Sequence, residues 1–88
     1  MKKYANTYQE YNNPQGTLVR EYGFPSENAA IALELIEEKF HGNLPEIEKK
    51  PDGEVCVKLT AGDSRFLDLQ ELVSGPFMQR VRKRDGLV

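Results

Sequence analysis

The sequence predicts an α+β fold of two layers: an antiparallel sheet of four to five strands packed on one main helix. Three observations predict it. A β-branched and aromatic run at 17–24 and an alternating run at 55–60 read as strands. Residues 27–41 carry an apolar stripe at helical spacing. Strong turn formers separate these segments. The chain has 88 residues, room for a single domain over 1–88, with 85–88 expected as a frayed tail. The element order reads β-β-α-β-β, then an optional further strand, then a short C-terminal helix.

Residues 4–11 fit two patterns. Tyr4, Asn6, Tyr8 and Glu10 alternate as in a strand, while Tyr4, Tyr8 and Tyr11 follow i, i+4, i+7 spacing. A strand is preferred, because the turn cluster Asn12-Asn13-Pro14-Gln15-Gly16 and a second strand, Thr17–Phe24, follow it. Ser26 sits at a natural N-cap, where its hydroxyl can accept from a first-turn amide. Ala29, Ala32, Leu33, Ile36 and Phe40 form the stripe, widened by Ile31 and Leu35, with Glu34, Glu37 and Glu38 on the wet side. Lys39 and His41 suit the last turn and Gly42 the left-handed C′ position.

Pro51-Asp52-Gly53 is a turn between a charged edge strand around Ile47 and a half-buried strand in which Val55, Val57 and Leu59 alternate with Cys56, Lys58 and Thr60. Arg65–Leu69 reads as a further strand or the start of a helix. Gly75-Pro76 is expected to break the segment, leaving Gln70–Ser74 as one helical turn and Pro76–Lys83 as a short terminal helix.

Composition narrows function by exclusion. Lys+Arg number 12 against 14 Asp+Glu, too balanced, and the chain too apolar, for disorder throughout. One Cys forms no intramolecular disulfide. No apolar run spans a bilayer, and Met1-Lys2-Lys3 leads into Tyr4-Ala5-Asn6 rather than an apolar core of a signal peptide. The expectation is a cytoplasmic protein that does not contact membrane. No phosphate-cradling glycine motif or nucleophile elbow is present. One His and one Cys make no usual zinc site, and no metal or cofactor is expected. His41 reads as a helix-end residue and Cys56 as a buried thiol, so no catalytic residue is assigned and an enzyme is not expected.

Two surfaces remain for binding. The C-terminal segment sets Phe77, Met78 and Val81 beside Arg80, Arg82, Lys83 and Arg84, a local charge of +3 over 76–88 once Asp85 is counted. The Tyr series begins with Tyr4 and Tyr8, which share a face if 4–11 is a strand. Partner-binding residues are therefore expected at Tyr4, Tyr8, Phe77, Arg80, Arg82, Lys83 and Arg84. The reading is a bacterial or phage regulatory or accessory protein acting by binding a protein partner that the sequence does not identify. A homodimer through an edge strand accompanies it naturally. The alternative is nucleic-acid binding through 80–84, with Arg65 or the Tyr face assisting.

Overall fold

The computed structural model describes residues 4–86. The chain runs through β1 (Thr7–Asn12), β2 (Leu18–Phe24), α1 (Ser26–Lys39), β3 (Glu46–Lys49), β4 (Val55–Thr60), α2 (Phe66–Leu72), a π turn (Val73–Phe77) and α3 (Met78–Arg84). The strands form one antiparallel sheet in the order β1-β2-β4-β3. The α+β architecture and the C-terminal helix are as the sequence predicts. The sheet has four strands: of residues 65–69, offered as a fifth strand or a helix start, Arg65 holds the N-cap position of α2 and 66–69 open it. Of the expected frayed tail, residues 87–88 lie outside the described residues.

Both hairpins are closed by local chemistry. The Asn13 side-chain oxygen accepts the amides of Gln15 and Thr17 at 3.0 and 2.9 Å, fixing the β1–β2 turn. In the β3–β4 turn the Asp52 carboxylate accepts the Glu54 amide at 2.9 Å, and Gly53 takes a left-handed φ of 91°. A Cβ at Gly53 would also stand 2.9 Å from the Ser26 Cβ, so this turn is seated against the start of α1.

Antiparallel partners point to the same side of a sheet. Tyr8, Tyr22, Val57 and Ile47 form one cross-strand row, and Phe24, Val55 and Leu59 share their face. This face receives Ala29, Ala32, Ile36 and Phe40 of α1 together with Leu69, Leu72, Val73, Phe77 and Val81. The Phe24 and Phe77 rings meet edge to face at 5.1 Å between centroids.

Three local expectations are corrected. Ser26 is the first helical residue and Pro25 holds the cap position, with no side-chain cap. The helix ends at Lys39, two residues before the expected end. His41 and Gly42 form the following turn, Gly42 at φ 81°, closed by the Asn43 amide on the Phe40 carbonyl at 2.7 Å. Gly75-Pro76 does not end the helix either. Leu69, Val73, Phe77 and Val81 recur every four residues, and on a regular α-helix each such step drifts by about 40°. The π turn holds more residues per turn than the α-helix and takes up that drift, so all four stay buried. Its widened bonding also accommodates Pro76, which has no amide hydrogen to offer.

Candidate functional site

The seven residues expected to bind a partner do not converge. Phe77 is corrected outright: it is fully buried, at 0 % exposure, because the continuous helix turns it onto Phe24. Tyr4 precedes β1 and is 71 % exposed, over a hollow of about 280 Å³ shared with Ala5, Glu27, Asn28, Val81, Arg84 and Asp85. Tyr8 lies elsewhere, against Tyr22 (4.9 Å between centroids) and Phe66 (6.1 Å). The shared Tyr4–Tyr8 platform therefore does not exist. The Tyr8 hydroxyl donates to Glu10 at 2.6 Å. Desolvation of the phenol, then that bond, pushes its pKa up to about 12.

The basic segment is partly neutralised by its own fold. Arg80 donates to the Glu34 carboxylate at 3.2 Å. Arg84 donates to the Glu27 carbonyl at 2.6 Å and to Asp85 at 3.0 Å. Arg82 and Lys83 are exposed. Arg65 is committed inside the molecule. Its guanidinium grips the Asp63 carboxylate at 2.7 and 3.0 Å and donates to the Asn43 and Leu44 carbonyls at 3.1 and 3.0 Å. It thereby ties the loop after α1 to the loop after β4. The Arg65 side chain, then its backbone amide, holds the Asp63 carboxyl well below its usual range, at about 2.

The sheet face away from the helices carries Gln9, Tyr11, Glu21, Cys56, Lys58, Glu46 and Glu48. Gln9 and Tyr11 donate to Glu21 at 2.7 and 3.2 Å, and Lys58 reaches Glu48 at 2.7 Å. Cys56 is buried, and burial, then the Glu21 charge, pushes its thiol pKa up, away from nucleophilic reactivity. His41 is exposed in its turn.

The feature that sequence reasoning missed is a groove of about 490 Å³ between α1 and α2. Leu35, Leu72 and Pro76 supply its apolar lining, and Glu38, Asp68 and Glu71 surround it against the single cation Lys39. The i, i+3 spacing of Asp68 and Glu71 is the signal that points to it, legible only once 66–72 is read as a helix. Asn28 is a second surprise: it is 2 % exposed, and its amide donates to the Ala5 carbonyl at 3.0 Å, pinning the segment before β1 to α1. Among the described residues, no helix is long and apolar enough to cross a membrane and no cluster of three potential ligands is placed to hold a metal ion. No family model, curated protein or solved structure matches the chain.

Proposed function

We propose that the protein is a small non-enzymatic interaction module, a regulatory or accessory protein that receives a basic amphipathic segment of a protein partner in the groove between α1 and α2. One observation carries this reading: an apolar lining of Leu35, Leu72 and Pro76 is surrounded by three carboxylates, Glu38, Asp68 and Glu71. An amphipathic helix lays its apolar side into such a groove, and cations along its flanks answer the carboxylates. Carboxylates outnumber the one cation, Lys39, in the groove, which suits adhesion to a basic partner better than turnover. The nucleic-acid reading has less support, because Arg80 and Arg84 are engaged by Glu34 and Asp85 and the groove would repel phosphate.

Fluorescence anisotropy with two labelled helical peptides tests the proposal, one built of Leu and Lys, the other of Leu and Glu. The basic peptide is expected to bind, more weakly as salt rises. The double variant Asp68→Lys, Glu71→Lys is expected to weaken it by about tenfold or more. Equal binding of both peptides, or an unaffected double variant, refutes the groove. Titration with duplex DNA and single-stranded RNA at low salt addresses the alternative.

A further inference from the structure

The sheet ends in two unlike edges. β3 is short and reads Glu46-Ile47-Glu48-Lys49, with charges that discourage further pairing. β1 has 6 residues and a single charge, with no Pro, Gly or Lys to blunt it. The Asn13 amide donates to the Thr17 carbonyl at 2.9 Å. Antiparallel bonding alternates from that pair, so Tyr11, Gln9 and Thr7 direct their backbone groups to β2. Tyr8, Glu10 and Asn12 direct theirs outward. Among the described residues no strand takes this outward row.

We infer that the occupant of this edge is a second copy of the chain, paired antiparallel through β1 about a two-fold axis at Gln9. Outward-directed residues must face one another in an antiparallel ladder. An axis at Glu10 meets that condition but opposes Glu10 to its own copy, like charges face to face. An axis at Tyr8 sets Glu10 against Asn6, before the strand begins. An axis at Gln9 pairs residues 7–11, placing Tyr8 opposite Glu10 and Thr7 opposite Tyr11 of the second copy, with only Asn12 of the strand left beyond the paired stretch. Glu10 already carries a donor and a cation with it: Tyr8 donates to it at 2.6 Å and Arg20 stands 3.8 Å away. The contact is isologous and closes on itself, joining two four-stranded sheets into one. It stands independently of the groove.

Sedimentation equilibrium from micromolar to millimolar concentration is expected to show a monomer–dimer equilibrium. Glu10→Pro removes no backbone bond within the protomer, because that amide points outward; it gives up only the exposed side-chain contacts to Tyr8 and Arg20, and is expected to abolish the dimer while the circular dichroism spectrum is kept. A second variant reads the register. Gln9→Cys is expected to cross-link with its copy under mild oxidation, since residues opposed in a non-hydrogen-bonded pair lie about 4.5 Å apart at Cα. Glu10→Cys is expected to cross-link poorly, and buried Cys56 supplies no background. A monomer throughout, a dimer that survives Glu10→Pro, larger assemblies without the Gln9→Cys cross-link, or preferential cross-linking at Glu10→Cys would each overturn the inference.

Discussion

The two faces of the sheet bury their residues by different means. On the helix side, Phe24 and Val57 are covered by apolar side chains of a second layer. On the other side, among the described residues, no helix lies over the sheet. Val19, Glu21 and Cys56 are nevertheless buried. All three sit on β2 and β4, the central strands, where neighbours flank them on both sides. Gln9 and Tyr11 lean in from β1 to bond Glu21. One face is thus excluded from water by stacking of layers, the other by position within a layer. The second means uses polar groups that keep their access to solvent, so its residues contribute less to stability.

The widest separation between the faces is expected from Phe77→Ala, a loss of about 3–5 kcal/mol in urea unfolding, which approaches the whole stability of a domain this size. Glu21→Ala on the open face is expected to cost about 1–2 kcal/mol, because Gln9 and Tyr11 lose a charged acceptor yet remain reachable by water. Equal effects of the two substitutions would erase the distinction.

Next comes the Arg65 latch, which holds the helical layer at one end. Asp63 has a folded pKa of about 2, below the value near 4 of an unfolded chain. Its contribution is therefore complete above about pH 4 and is lost as pH falls through about 2. A melting series across that interval is expected to decline in the native protein and to flatten in Asp63→Asn, with about 1 kcal/mol at stake after solvent screening. The smallest effect is expected at Lys58→Ala. Its ion pair with Glu48 is partly exposed, and the urea midpoint should stay within measurement error.

Much of the fold is legible in the chain itself. Val55, Val57 and Leu59 alternate because one side of β4 meets a helix, and Asn13 and Gly53 mark their turns by side-chain and backbone chemistry. Residues 65–81 resist the same reading. Phe66, Leu67 and Leu69 satisfy a strand as well as a helix over so short a window, and Gly75-Pro76 is a breaker by every local rule. What overrules it is the four-residue recurrence from Leu69 to Val81, stabilised by burial against Phe24, a contact that local sequence does not display. Phe77 and Val81, four residues apart, fit packing on the sheet as well as contact with a partner, and only the burial against Phe24 decides between the two. The groove is harder still to foresee, since Leu35 and Leu72 become neighbours only when the final helical segment returns across α1.

The swollen turn at Val73–Phe77 makes the end of the chain sensitive to phase. Removal of Gly75 would leave every downstream residue chemically unaltered, yet with this turn returned to a regular α-helix Phe77 would follow Val73 by three residues, about 60° short of a full turn, and Phe77 and Val81 would be rotated off the line that faces the sheet. In this stretch residue count, as much as residue identity, decides which side chains face the sheet.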